Sequence, residues 1–170
     1  MPGGKTHDLL NIIFIVFVFA IIAVYNIVIS FDQDKVLVAF YIFIGSYIFS
    51  TFMLSPDLDL HKNRSKINWG ILRWIWYPYS KIFKHRGISH SLIFGPITRI
   101  IYVYTMILLF QIAYFYISSR DFDDLNFFII DEDYLNTYNI LSFILGIYLP
   151  SIIHTLSDRL YTSLKRKLRR

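Results

Sequence analysis

The sequence predicts an all-α fold, an integral-membrane four-helix bundle, on three observations. Four largely uncharged stretches each approach the roughly 20 apolar residues a helix needs to cross a bilayer. Hydrophobic residues make up 55% of the chain and charged residues only 17%, against roughly 25% charged in a soluble domain. None of the four stretches shows the charged face, recurring every 3.6 residues, of a water-exposed helix. With 170 residues, 7 Gly and 5 Pro, the chain reads as one membrane-embedded domain, 1–170, and collagenous or disordered classes are excluded. No repeat or composition shift marks a second domain.

The first span covers about 9–30. It is too long for the apolar part of a cleavable signal, and Asp32-Gln33-Asp34 after it offers no small-residue cleavage site, so a retained anchor is expected. The second, about 36–54, stops before Pro56, which biases Ser55 away from helical geometry. The third is uncharged from Ile100 to Ser118, and its mostly apolar lead-in extends it to about 91–118; the fourth covers about 134–158. Between spans two and three, Trp69, Trp74, Trp76, Tyr77 and Tyr79 stand among Lys and Arg, the composition of a segment lying at headgroup level. Leu72, Ile75, Trp76 and Tyr79 follow helical spacing, although Pro78 should end or kink a helix there.

Loop charge sets the expected topology. The middle connection holds Lys62, Arg64, Lys66, Arg73, Lys81, Lys84 and Arg86, and the C-terminal tail is Lys165-Arg166-Lys167-Leu168-Arg169-Arg170. The third connection instead carries Asp121, Asp123, Asp124, Asp131, Glu132 and Asp133. The positive-inside rule therefore predicts a multi-pass protein with both termini and the middle connection cytoplasmic. The net charge of +5 reflects that orientation, and no nucleic-acid partner is expected.

The placement of the five His and twelve acids carries the functional reading. His7 and Asp8 precede span one, Asp57 and Asp59 follow span two, His85 and His90 precede span three, and His154 and Asp158 end span four. All eight fall at the cytoplasmic ends, where a helical bundle can converge them. His154 and Asp158, four apart, share a helix face; Asp57 and Asp59, in an extended segment, would point the same way. Each residue alone reads as a solvated or capping group. Together they predict a metal site, because ionisable groups collected near lipid are costly without an ion to pair them. His61, in the basic run, reads as a solvated loop residue.

Without Cys, thiolate ligation and a Cys nucleophile drop out; imidazole and carboxylate suit zinc, manganese, iron or nickel, as one or two ions. A metal-dependent hydrolase is the first functional reading, with Asp59 as general base or positioning acid and Arg86 stabilising anionic charge. Ser89 or Ser91 would orient ligands. The position of the site at the inner headgroups makes a lipid or lipid-linked phosphoester the expected substrate. A structural metal site clamping the helix ends is the rival reading. A metal carrier fits less well, since the spans lack midplane acids or His, and Gly87-Ile88-Ser89-His90-Ser91 has no second Gly for a serine nucleophile elbow.

Several motifs also resemble a known family. Met1-Pro2-Gly3-Gly4-Lys5-Thr6-His7-Asp8, Ser55-Pro56-Asp57-Leu58-Asp59-Leu60-His61, the run Trp69 to Tyr79 and His85-Arg86-Gly87-Ile88-Ser89-His90-Ser91 resemble the predicted metal-binding membrane proteins of cyanobacteria and relatives. That family is in turn similar to the YdjM-like membrane-bound metal-dependent hydrolases. The likeness covers most of the first 105 residues, then thins to His154-Thr155-Leu156-Ser157-Asp158. A more distant likeness to zinc-dependent phospholipase C and the S1/P1 nucleases implies phosphoester hydrolysis, zinc as the leading metal, and His7, Asp57, His85, His90, His154 and Asp158 as ligands. Those enzymes are soluble and begin with a zinc-ligating Trp that this chain lacks, so their three-ion site and their substrates do not carry over.

Overall fold

The computed structural model describes residues 3–25, 33–60, 63–83, 88–118 and 135–168, and every regular element among them is helical. In chain order these are α1 (Gly4–Tyr25), α2 (Gln33–Met53), a 3-10 turn (Pro56–Asp59), α3 (Arg64–Asn68), a 3-10 stretch (Gly70–Ile75), α4 (Trp76–Ile82), a 3-10 turn (Ile88–His90), α5 (Phe94–Ser118) and α6 (Thr137–Lys167). Helices α1, α2, α5 and α6 are long and apolar enough to cross a membrane. Side chains such as Phe17, Tyr41, Tyr104 and Phe110 are exposed, a breadth of uncovered apolar surface that soluble monomers rarely carry. The acidic connection, His61, His85 and Arg86 lie outside the described residues.

Two helix ends differ from the sequence expectation for the same reason. Hydropathy marks where a helix is apolar, and backbone hydrogen bonding carries it further. α1 starts at Gly4 rather than Leu9, opened by bonds from Thr6 and His7 N–H to Gly3 O, so His7 and Asp8 stand inside it. α6 is capped by Asn136, whose side chain accepts from Asn139 N–H at 3.0 Å, and runs to Lys167. Asp158 is thus an interior helical residue.

The expected four-helix bundle is not clearly formed. α2 and α6 make the main pairing, α1 lies on α6 with a lighter touch on α2, and α5 joins mainly by its first turns, where Gly95, Pro96 and Arg99 are buried. Small residues explain the α2–α6 pairing. A Cβ on Gly146 would strike Ser46 Oγ and stand 2.7 Å from Phe43 O, so only glycine lets the helices come this close. Ser50 Oγ donates to Ile147 O at 2.8 Å across the same seam, and Tyr47 OH donates to Asn11 O at 2.8 Å toward α1.

The aromatic segment also departs from expectation. Trp76 and Tyr79 are fully buried and form the apolar core with Leu54, Leu58 and Ile147. Both pack against Tyr102 of α5 with ring centroids 5.4 and 5.1 Å away. Pro78 does not break α4: it occupies the first turn, where its missing N–H has no partner to lose. Ile71, Leu72, Trp74 and Tyr77 stay exposed, with Arg73 over the Trp74 ring and Lys81 over the Tyr77 ring. Only this outer half has the character of an interfacial anchor.

Candidate metal centre

The core lies under the short elements that follow α2, and this is where the polar groups meet. Ser55 accepts from Asp57 N–H and opens the 3-10 turn, which Pro56 begins with a preset φ. A 3-10 turn rotates residues two apart by roughly 240°, so Asp57 and Asp59 do not point the same way, contrary to the extended geometry expected of them. Asp57 turns toward the imidazoles. Asp59 is buried elsewhere, and its charge acts on Lys66 and Arg99. Burial pushes the Lys66 ammonium below its ordinary pKa, and Asp59 opposes that shift. Asn63 holds the arrangement: its amide donates to Asp57 O and its side-chain oxygen accepts from Lys66 N–H at 2.7 Å.

Four helical segments then supply one cluster. His7 Nε2 of α1 is 3.2 Å from Asp158 Oδ1, and His154 Nε2 of α6 is 3.7 Å from Asp158 Oδ2 and 3.5 Å from Asp57 Oδ1. His90 Nε2, from the turn before α5, is 3.7 Å from the same Asp57 oxygen. The His7 and His154 rings stack with centroids 3.7 Å apart, both residues being 3% exposed. His7, His154 and Asp158 each offer a ligand atom within 4.8 Å of the others, a group that could hold a metal ion. Asp8 instead pairs with Arg64 at 3.2 Å.

The donor set fits a small divalent ion on two counts. His154 Nε2 and both Asp158 carboxylate oxygens are buried without a hydrogen bond of ordinary geometry, a cost that a native protein normally offsets with a partner. Ligands bonded at 2.0–2.2 Å around a tetrahedral ion stand about 3.4 Å apart, and the four nitrogen–oxygen separations here run from 3.2 to 3.7 Å.

Three residues that sequence reasoning passed over, or named only loosely, hold this geometry. Ser157 donates its one hydroxyl proton to His154 O at 2.8 Å, so its oxygen, 2.9 Å from His7 Nδ1, accepts from that nitrogen. His7 Nε2 is thereby left as the lone-pair nitrogen facing Asp158. Arg99, fully buried, donates to Gly95 O within α5, to Leu54 O at the end of α2, and to Ser151 Oγ on α6 at 2.7 Å. Ser89 donates to Pro56 O at 2.8 Å, and a Cβ on Gly95 would collide with Ser89 O. The sequence signals for these were an i+3 hydroxyl beside His154 and a lone Arg interrupting an apolar stretch.

Among the described residues, cavities reach the cluster from two sides. One of about 310 Å³ is lined by Asp57, Asp158 and Asp8 with the start of α1 and of α3. The other, about 710 Å³, is lined by His90 and Asp158 and runs out along α6.

Fold and site together define a class: an all-helical protein with four helices able to span a membrane and a buried His/Asp group able to hold a metal. The chain belongs to the family described as "Uncharacterized metal-binding protein (DUF2227)", whose model matches residues 2–168. It is also 39% identical over 57 residues to an "Uncharacterized protein" of Aquifex aeolicus (strain VF5), a match taking in 34% of this chain and 40% of that relative's length. No solved structure matches the chain. Metal binding is thus the described property of the family, and His7, His154 and Asp158 form a group in this chain that could hold the ion.

Proposed function

We propose that this protein is a membrane-embedded, metal-dependent hydrolase of phosphoester or lipid-like substrates, working at the cytoplasmic face. The observation that carries the reading is a buried His/Asp cluster that opens onto a 710 Å³ cavity through His90 and Asp158. A catalytic site needs ligands held by the protein and one side left for substrate and water; a purely structural site needs only the first. The likeness to YdjM-like hydrolases and to zinc-dependent phospholipase C supports the same direction, and the second of these makes zinc the leading ion within a nitrogen and oxygen donor set that suits manganese, iron or nickel as well.

In this reading His7, His154 and Asp158 hold the ion, with Asp57 and His90 completing its surroundings and His85 as a further ligand. When bound, a divalent ion supplies Lewis acidity toward water and toward a phosphoryl or ester oxygen. The residues do the rest. Ser157 fixes the His7 tautomer; Asn63 and Arg99 hold the segments that carry Asp57 and His154. Asp59, engaged with the charges of Lys66 and Arg99, suits a positioning part better than contact with substrate. Arg86 remains a candidate for stabilising anionic charge. Four apolar helices and the exposed Trp74 and Tyr77 favour a site level with the headgroups.

A structural metal site is the second reading, favoured by the near-complete burial of His7 and His154. The test is hydrolysis by zinc-loaded protein in detergent, using bis-p-nitrophenyl phosphate and a phospholipid. Turnover that disappears in Asp158→Asn supports the hydrolase. Metal-loaded wild type with no turnover above the His154→Ala background on either substrate refutes it.

A further inference from the structure

The larger cavity has a chemistry that the metal ligands alone do not require. Its inner end is the metal cluster itself, through His90 and Asp158, and its outer wall is one face of α6. Thr155, Arg159, Thr162 and Arg166 follow i, i+4, i+7, i+11 spacing and so share that face. The helix is 31 residues long, about 46 Å at 1.5 Å per residue. It therefore outlasts a hydrocarbon layer of about 30 Å, and its last turns stand beyond the apolar stretch.

We infer that this cavity binds the phosphoryl group of the substrate, with Arg159 and Arg166 as its anion-binding residues. The inference rests on the metal-dependent hydrolase reading and adds the place and the residues that hold the substrate's phosphoryl group. Among the described residues no carboxylate pairs with either arginine, so both guanidinium groups are available to a ligand. Guanidinium presents a planar fork of N–H donors that matches phosphate oxygens. Ser91, which also lines the cavity, accepts from Phe94 N–H at 3.3 Å and keeps its own proton to donate. Ile93, which also lines the cavity, immediately precedes the 25-residue α5, whose first turn favours negative charge. Thr155 and Thr162 do not serve as donors, since each returns its proton to a helix carbonyl, Ser151 O and Asp158 O respectively.

The floor sets a condition. Asp158 and the nearby Asp57 are anionic and repel a phosphoryl group, unless a cation sits among them. Phosphate and metal therefore bind cooperatively, each raising the affinity of the other by one factor. Leu92 and Ile93 line the mouth beside Ser91, an apolar edge suited to the alkyl part of an ester. The shared chemistry is the phosphoryl anion, from a lipid headgroup or from a soluble ester.

The test is equilibrium binding of inorganic phosphate and of dihexanoyl phosphatidic acid to zinc-loaded protein in detergent, read by phosphorus NMR line broadening. Arg159→Gln and Arg166→Gln should each weaken binding about tenfold, the low end for a charged hydrogen bond, with zinc content unchanged. Lys165→Gln, which loses the same charge off the cavity face, should leave affinity within about twofold. Chelating the zinc should abolish binding. Tighter capture of phosphatidic acid than of phosphate identifies a lipid source, and equal capture a soluble one; either supports the site. If zinc binds and phosphate affinity ignores both arginines, this inference falls while the metal reading stands. If wild type takes up none of zinc, manganese, iron or nickel, both fall together.

Discussion

Replacing Arg99 with methionine removes a side chain that ties three parts of the site together. Its guanidinium donates to Leu54 O just before the turn carrying Asp57, and to Ser151 Oγ one turn before His154. The bond to Gly95 O lies within α5, and that carbonyl keeps its helical partner, so the loss falls on the two bridging bonds. Hydrogen bonds from a charged donor are worth roughly 1.5–3 kcal/mol each, or about 3–6 kcal/mol for two. Methionine fills much of the volume and ends the cost of burying a cation, so the net destabilisation expected is about 2–4 kcal/mol. For a chain of this size that lowers the melting temperature by roughly 5–15 °C. Arg99→Lys keeps the charge but replaces the fork with a single ammonium that satisfies one bridge at a time, and should fall between. Because Asp57 and His154 lose their common anchor, metal affinity in the Met variant should drop about 10–100-fold. Thermal melting in detergent and metal competition with a chelating dye read the two effects. An Arg99→Met protein that melts within about 2 °C of wild type and holds metal equally well refutes the anchoring.

Three further outcomes follow from the same geometry. Gly146→Ala forces a methyl toward Phe43 O and Ser46 Oγ at the α2–α6 crossing, and should destabilise by about 1–3 kcal/mol; an unchanged melting temperature contradicts that packing. Ser157→Ala frees the His7 ring from its fixed tautomer, so metal affinity should fall by about tenfold with little change in melting of the metal-free protein; equal affinity assigns Ser157 no positioning part. Metal affinity should fall as the solution is made more acidic, because ligation needs neutral imidazole and protons compete with the metal for the ligand nitrogens. Affinity that rises on acidification, followed by isothermal titration between about pH 5 and 8, contradicts imidazole ligation.

The helical class was legible because apolar stretches of spanning length admit few other solutions, and the pairing of His154 with Asp158 because four residues make one helical turn. Asp57 followed from Pro56, which stops α2 and starts the turn that presents it. The companion Asp59 points away because an extended segment and a 3-10 turn share the same sequence signal but rotate alternate residues differently. Trp76 and Tyr79 have the composition of a headgroup belt, and only the positions of Leu54, Leu58 and Ile147 show that they face inward. Arg99 was hidden by its setting: an Arg at the edge of an apolar stretch reads as a flanking charge until the carbonyl and hydroxyl it meets are known. The start of α1 is invisible to hydropathy because Lys5, Thr6 and His7 are polar yet helical.

The central claim is that the buried His/Asp cluster holds a divalent metal, and elemental analysis of gently purified protein tests it most directly. Wild type should carry at least one equivalent of a divalent metal per chain. Folded His154→Ala and Asp158→Ala variants should lose it. Metal returned to stripped wild type at a hundredfold excess over its dissociation constant should add about 2.7 kcal/mol of stability. Wild type that carries no metal and gains no stability when zinc, manganese, iron or nickel is restored contradicts the account.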